Sequence, residues 1–257
     1  MTELSYAAGP ADTPLLDETI GQNLARTVAT HGGRDALVSV HQDIRWTYDE
    51  FAARVSVLAK GMLGAGLAKG DRVGLWSPNY AEWTLLQFAT AEIGVVLVNI
   101  NPSYRTHELA YAVNQSGCRW VVASPTFKTS DYRTMVDEVR VECPTLERAV
   151  FFWDDDWEAL CAGSDEISDQ QLADVSASLR PDDPINIQYT SGTTGFPKGA
   201  TLTHHNILNN GHNVTRGQNI THEDRLCIPV PFYHCFGMVM GNLGCTSTGA
   251  CMVIPGD

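Results

Sequence analysis

The stretch Tyr189-Thr190-Ser191-Gly192-Thr193-Thr194-Gly195-Phe196-Pro197-Lys198-Gly199 follows directly on an apolar run at 185–189. Glycines let the backbone approach a ligand closely and adopt positive φ. Amide groups and Ser/Thr hydroxyls donate hydrogen bonds to phosphate oxygens, and Lys198 adds a full positive charge. The stretch therefore predicts a loop that grips a polyphosphate at the end of a buried strand.

Two better-known nucleotide loops do not fit these residues. The hydrolase P-loop requires Gly-x4-Gly-Lys-Ser/Thr, whereas here Pro197 precedes Lys198 and Gly199 follows it. The dinucleotide pattern GxGxxG is also missing from the sequence. An ordinary turn rich in Ser, Thr and Gly is the remaining alternative, but such turns rarely combine so many donors with a lysine.

On the N-terminal side of this loop, short apolar runs alternate with segments of helical periodicity. This alternation is typical of a parallel sheet covered by helices. We predict an α/β fold with helices packed on both faces of mostly parallel sheets. The predicted strands are 73–76, 95–100, 120–123, 149–153 and 185–189, and the predicted helices are 80–93, 107–115 and 132–141.

The ends of this pattern define the predicted domain. Residues 1–16 are small and polar and predict a flexible N-terminal tail, which leaves 17–257 as one domain. Runs at 36–40 and 44–46 predict a hairpin, and Thr47 with Glu50 forms a capping box for a helix that reaches about residue 67. The acidic stretch 154–183 predicts a solvated surface excursion with one helix.

Charge and composition exclude several classes of function. Thirty acidic and 17 basic residues give a formal charge of −13, so we expect no nucleic-acid partner. The seven cysteines form no CxxC pair and predict no metal site. Their odd number and the lack of a signal peptide at the start predict a cytoplasmic setting.

The uncharged stretch 236–254 is long enough to cross a bilayer. Its four glycines and its Thr-Ser-Thr sequence favour helix, turn and strand instead, so we expect no transmembrane segment. Peripheral contact with a membrane stays open. The adjacent His204 and His205 point in different directions on a helix, which favours capping and packing over metal binding.

The stretch 187–198 resembles, position by position, the phosphate-loop signature of the adenylate-forming (AMP-binding) superfamily. Acyl-CoA synthetases, firefly luciferase and the adenylation domains of peptide synthetases belong to it. The resemblance implies that this loop surrounds the β- and γ-phosphates of ATP. The residues it assigns to cofactor binding are Thr190, Ser191, Gly192, Thr193, Thr194, Gly195 and Lys198.

A second element supports the same family. The stretch 229–237 resembles its Pro-x-Phe-His-x-x-Gly element, with Tyr233 where phenylalanine is common. In the family this histidine stands beside the acyl and adenylate site, which makes His234 the candidate catalytic residue. The stretch 101–109 is similar to one in fatty acyl-CoA synthetases, and it favours a medium- or long-chain acid as the substrate.

The resemblance implies a two-step reaction. A carboxylate attacks the α-phosphorus of Mg-ATP, and the thiol of CoA then displaces AMP, so ATP, Mg²⁺ and CoA are the implied cofactors. Motifs that follow in complete relatives are missing here, and we expect an incomplete N-terminal domain that is inactive alone. A fatty acyl-AMP ligase or an aryl-acid CoA ligase remains an alternative, as does a non-catalytic nucleotide-binding fragment. The sequence leaves the oligomeric state open.

Overall fold

The computed structural model describes residues 14–190 and 197–256. Within them the helices are α1 Ile20–His31, α2 Tyr48–Gly64, α3 Ala81–Ile93, α4 Thr106–Ser116, α5 Tyr132–Arg140, α6 Asp155–Cys161, α7 Asp169–Ala177, α8 His204–Gly217 and α9 Gly244–Thr248, with a 3-10 turn at Val40–Gln42 and a π-helix at Phe236–Leu243. The strands are β1 Asp35–Ser39, β2 Ile44–Thr47, β3 Arg72–Trp76, β4 Val96–Ile100, β5 Trp120–Ala123, β6 Thr126–Phe127, β7 Ser130–Asp131, β8 Arg148–Phe151, β9 Pro184–Thr190, β10 Lys198–Thr203, β11 Arg225–Cys227 and β12 Cys251–Ile254.

A six-stranded sheet forms the centre of the fold, in the order β10-β9-β4-β3-β5-β8. Neighbouring strands are parallel except at the edge, where β10 runs antiparallel to β9. Val73 and Leu75 belong to the core on one face, while Val121 and Ala123 belong to the core on the other. Each face is therefore buried, and the predicted α/β fold is confirmed.

A second sheet of four strands has the order β11-β12-β1-β2. The predicted hairpin is present, because β1 and β2 pair antiparallel. Strand β12 then lies parallel to β1, with Leu37 opposite Met252. Local sequence cannot signal this pairing, because the two strands are more than 200 residues apart in the chain.

The capping box predicted for α2 is confirmed. The hydroxyl of Thr47 accepts a hydrogen bond from the Glu50 amide at 3.2 Å, and the Glu50 carboxylate accepts one from the Thr47 amide at 2.8 Å. The N-terminal end is less simple than predicted, because the backbone of Leu16 exchanges two hydrogen bonds with the Asn209 side chain. Residues 1–13 of the predicted tail lie outside the described residues.

The acidic stretch 154–183 contains two helices, α6 and α7, rather than one. Trp157 and Leu160 on α6 are buried in the main core. A Cβ atom added at Gly61 of α2 would overlap the carbonyl oxygen of Leu160, so the two helices approach closely. The stretch is therefore more than a surface excursion, because its apolar side chains complete the packing around α2.

The stretch 236–254 is a π-helix, a short α-helix, a turn at Gly249 with φ of 79°, and strand β12. The predicted order of helix, turn and strand is confirmed. Across the described residues, none of the helices combines the length and the apolar character needed to span a membrane.

The two histidines at the start of α8 contact two different parts of the chain. The backbone amide of His205 bonds to the carbonyl of Pro181, and the ring of His204 is fully buried against α1. Its Nδ1 accepts a hydrogen bond from the Ile20 amide at 3.2 Å. Burial lowers the pKa of His204 to about 4, and the nearby Asp183 carboxylate opposes that shift. His204 is therefore neutral in the folded protein.

This burial predicts a pH-dependent stability. The unfolded chain binds a proton at His204 below a pKa of about 6.5, whereas the folded chain binds it only below about 4. The free energy of unfolding should fall by up to about 3 kcal/mol across that window as pH decreases. His204→Asn keeps an acceptor for the Ile20 amide but does not titrate. Urea unfolding of both proteins at about pH 7 and about pH 5 should give a smaller loss for the variant, and equal losses would contradict the assignment.

Candidate active site

Strands β9 and β10 form a hairpin whose connecting loop is the glycine- and threonine-rich stretch. Thr190 lies opposite Lys198 across the pair, and the Thr190 hydroxyl is 3.4 Å from the Lys198 carbonyl oxygen. The Tyr111 hydroxyl on α4 donates to the Pro197 carbonyl at 2.9 Å. Both ends of the loop are thus fixed to the sheet and to a helix.

The structure brings together two of the predicted phosphate contacts, Thr190 and Lys198, at the carboxyl end of β9. Both residues are exposed, which leaves Lys198 accessible to an anion. The other predicted contacts, Ser191, Gly192, Thr193, Thr194 and Gly195, lie outside the described residues. Strand β10 was not predicted, because its residues Lys-Gly-Ala-Thr-Leu-Thr are polar and small for a strand.

His234 lies on a turn between β11 and the π-helix. Its backbone amide donates to the Pro231 carbonyl at 3.2 Å, and its Nδ1 accepts from the Phe236 amide at 3.1 Å. An Nδ1 that accepts selects the neutral tautomer with the proton on Nε2. The exposed ring can therefore offer an Nε2–H donor to an anionic group.

Asn79, in the turn after β3, clamps the segment that leads to His234. Its Nδ2 donates to the Val230 carbonyl at 2.8 Å, and its Oδ1 accepts from the Phe232 amide at 2.7 Å. The side chain is only 5% exposed, so water cannot easily replace these bonds. One side chain thus satisfies two backbone groups of the turn.

Buried amides link the same turn to the central sheet. The carbonyl oxygen of Tyr233 accepts from Gln188 Nε2 at 2.7 Å and from Asn99 Nδ2 at 3.2 Å. The Asn99 side chain also bonds to Gln188 and to Asn186, at 3.1 and 2.9 Å. Since side chains alternate along a strand, Gln188 and Thr190 share one face of β9, about 7 Å apart. The β9–β10 hairpin and the His234 turn therefore meet on this face.

Sequence reasoning missed Asn79, Asn99 and Gln188. A signal was present for Asn99, which is the one polar residue of β4, because a buried polar side chain needs a partner. In β9 the signal was weaker, because Gln188 shares its strand with the polar residues Asn186 and Thr190. The partner itself could not be predicted, because the turn around Tyr233 lies 45 residues beyond Gln188 in the chain.

Two clefts border the His234 turn. The larger, of about 490 Å³, lies at the carboxyl ends of β3 and β4, where ligands of open α/β sheets usually bind. It is lined by Pro78, Asn79, Asn101, Pro102, Ser103, Phe127, Lys128, Pro229, Pro231, Tyr233 and Gly256.

The smaller cleft has a volume of about 230 Å³ and lies between α8, β11 and the π-helix. Its walls are mainly apolar, so it suits a hydrocarbon group better than a charged one. It is lined by Val214, Gln218, Leu226, Cys227, Ile228, Pro229, Val230, Phe236, Met240 and Gly241.

Comparison with known proteins places these features in a family. The family model for the AMP-binding enzyme matches residues 24–257. The mitochondrial medium-chain acyl-CoA ligase ACSF2 of Danio rerio is 40% identical over 275 residues, which cover 98% of this chain and 45% of that protein. YngI of Bacillus subtilis (strain 168) is 39% identical over 262 residues, covering 93% of this chain and 47% of YngI.

A solved structure gives the same assignment. The inhibitor-bound N-terminal domain of FACL13 from Mycobacterium tuberculosis has a TM-score of 0.77 and 26% identity, and the match covers 93% of this chain and 57% of that one. The chain spans about half the length of the curated relatives that it matches.

The Asn79 clamp leads to a prediction on the stability of the turn. Asn79→Ala leaves a buried carbonyl and a buried amide without partners, which should lower the free energy of unfolding by roughly 2–4 kcal/mol. Asn114→Ala is the matched control, because it removes one exposed hydrogen bond from the Asn114 side chain to the Glu142 carbonyl. Urea unfolding measures both variants. A loss for Asn79→Ala no larger than that of the control would contradict the clamp.

Proposed function

The chain belongs to the family of AMP-binding enzymes, and we propose that its whole protein is an acyl-CoA synthetase that activates a fatty acid with ATP. The carboxylate attacks the α-phosphorus, pyrophosphate leaves, and the thiol of CoA then displaces AMP from the acyl-adenylate. One observation carries this proposal: the Thr190–Lys198 hairpin and the His234 turn are joined through Gln188 on one face of the sheet.

The hairpin is proposed to serve the leaving group. Negative charge accumulates on the departing pyrophosphate, and fixed donors around it stabilise the transition state. Thr190 and Lys198 would supply a hydroxyl and a cation, together with Ser191, Gly192, Thr193, Thr194 and Gly195 of the loop.

His234 is proposed to orient the acid rather than to deprotonate it. A carboxylic acid with an ordinary pKa near 4–5 is already ionised at neutral pH and needs no base. A neutral ring with its proton on Nε2 can donate a hydrogen bond to one carboxylate oxygen and leave the other to attack. The bond from the Phe236 amide to Nδ1 and the bond from Gln188 to the Tyr233 carbonyl favour this arrangement.

The apolar cleft beside Phe236 is proposed to hold the hydrocarbon chain. It begins two residues after His234, so a carboxylate at the histidine would place its alkyl chain toward this cleft. Its small volume favours a medium-chain acid over a long-chain one, and the ACSF2 relatives carry a medium-chain name. An aryl-acid ligase would show a different acid profile in the tests below, whereas a fatty acyl-AMP ligase would form the adenylate without consuming CoA.

The partners proposed are the acid, ATP with Mg²⁺, and CoA. Magnesium would bridge the phosphates and neutralise their charge. Among residues 14–190 and 197–256 no group of three or more His, Cys, Asp or Glu side chains could hold a metal ion, so we assign no magnesium ligand to them. We propose a reducing compartment such as the cytoplasm, because the seven cysteines are odd in number and form no CxxC pair.

Removal of the Lys198 cation tests the proposed phosphate contact. Lys198→Ala in the full-length protein should slow ATP–pyrophosphate exchange by roughly 100- to 1000-fold, the usual cost of losing one preorganised charge stabiliser. Lys60→Ala is the matched control, because that lysine lies on α2 and pairs with Asp169 of α7. The same exchange rate in both variants would reject the assignment of Lys198. The 257-residue chain alone should give no exchange, and turnover by it would reject its expected inactivity.

Gly241 tests the proposed acyl cleft. A Cβ atom at this position would lie 2.9 Å from Ile228 Cδ1, so added side-chain atoms would fill the cleft. Gly241→Ala should lower kcat/KM for the longest accepted acid by roughly 10- to 100-fold, while a shorter acid is affected less. Gly217→Ala, where the added atom meets nothing within 4 Å, is the control. An equal loss of kcat/KM for all acids would mean that the acyl chain of the substrate binds elsewhere.

A further inference from the structure

The wall of the apolar cleft comes partly from a π-helix. Phe236, Met240 and Gly241 line the cleft, and all three belong to Phe236–Leu243. A π-helix bonds each amide to the carbonyl five residues earlier and is rare, but it is frequent at functional sites. Because the turn is wider than in an α-helix, the turn type decides which side chains of this segment face the cleft.

Two buried amides connect this segment to α3. Gln87 Nε2 donates to the Met238 carbonyl at 3.2 Å and lies 3.3 Å from the Met238 sulfur. Asn242 Nδ2 donates to Gln87 Oε1 at 2.9 Å and approaches the Thr84 hydroxyl at 3.4 Å. Gln87 thus bonds to two positions of the π-helix, four residues apart. A change of turn type would move these positions relative to each other and break at least one bond.

Burying these two amide side chains in the core costs stability. Asn242 is fully buried and Gln87 is 4% exposed, in a helix where eleven of thirteen residues are buried. The Oδ1 atom of Asn242 has no hydrogen-bond partner among the described residues, which costs stability. Apolar side chains of similar size would fill the same space without this cost. Apolar side chains cannot select one helical register for residues 236–243. Selection of a register is the best-attested use of buried polar groups.

Contacts with α8 set how closely the π-helix packs against that helix, but they do not select its turn type. A Cβ atom at Gly211 of α8 would lie 2.6 Å from the Val239 carbonyl oxygen, and one at Gly244 would lie 2.5 Å from Thr215 Cγ2. These glycines let α8 pack closely against the segment. Steric contact of this kind is not directional, so the directional information comes from the α3 side.

We infer that Gln87 and Asn242 are positioning residues for the acid site. They hold Phe236–Leu243 in the π-helical register that presents Phe236 and Met240 to the acyl chain, and so they help to set the chain length that the enzyme prefers. This inference rests on the proposed function.

The test compares two substitutions one helical turn apart on α3. Gln87→Leu removes both bonds to the π-helix. Thr90→Val removes a buried hydroxyl that, among the described residues, bonds only to the carbonyls of Leu86 and Gln87 in its own helix. The full-length protein and both variants are assayed for kcat and KM with straight-chain acids from hexanoic to dodecanoic. We expect Gln87→Leu to change the kcat/KM ratio between acids of different length by roughly tenfold, mainly through KM, and Thr90→Val to keep the wild-type profile.

A second test, in which the long and the short amide side chains are exchanged, applies if Gln87→Leu does not fold. Gln87→Asn combined with Asn242→Gln keeps two amides and their combined reach between the helices, and it should restore the wild-type profile more closely than Gln87→Asn alone. The inference is overturned if Gln87→Leu folds and keeps the wild-type profile, if Thr90→Val shifts the profile equally, or if the pair restores nothing. A wild-type protein that activates none of these acids would instead refute the proposed medium-chain substrate.

Discussion

The hydrogen bonds to the carbonyl of Tyr233 hold the candidate site together. Gln188 and Asn99 extend from two neighbouring parallel strands, and both donate to this one oxygen. Without them the turn that carries His234 would contact the sheet mainly through the Asn79 clamp and apolar packing. Because Gln188 also lies two residues before Thr190, the same bond sets the position of the histidine relative to the β9–β10 hairpin. Few other contacts in the described chain affect so many functional groups.

Polar side chains have an unusual role in this core. Asn99, Asn186, Gln188, Gln87 and Asn242 are all nearly or fully buried, and each donates to a backbone carbonyl or to another amide. Apolar packing alone tolerates sliding, because it depends on area rather than on direction. Amide hydrogen bonds are directional and costly to leave unmade. They therefore connect the central sheet and α3 to the turn and the π-helix in a single arrangement.

Much of the fold followed from local sequence. The strands at 73–76 and 120–123 and the Thr47 capping box were predicted because periodicity and capping act over a few residues. The separate second sheet was not predicted, since β1 pairs with β12 from the far end of the chain. Helix α6 was missed because three acidic residues in its first turn hid the buried Trp157 and Leu160.

The residues of the candidate site also differ in whether local sequence could predict them. Thr190, Lys198 and His234 could be found from motifs, whereas Asn79 and Gln188 could not, because their role depends on backbone groups far along the chain. The π-helix is the clearest case. Its sequence predicts a helix, but the choice of turn type depends on Gln87, 151 residues earlier.

The burial of α3 also has a consequence for biosynthesis. This helix packs against α1 and α2 early in the chain, but Gln87 finds its partner only when Met238 has been made. At ribosomal rates of 5–20 residues per second, the wait for those 151 residues is roughly 8–30 seconds. During that interval one side of a helix that is buried at eleven of its thirteen positions is uncovered. Apolar side chains of α3 are therefore exposed to aggregation until the residues that cover them have been made.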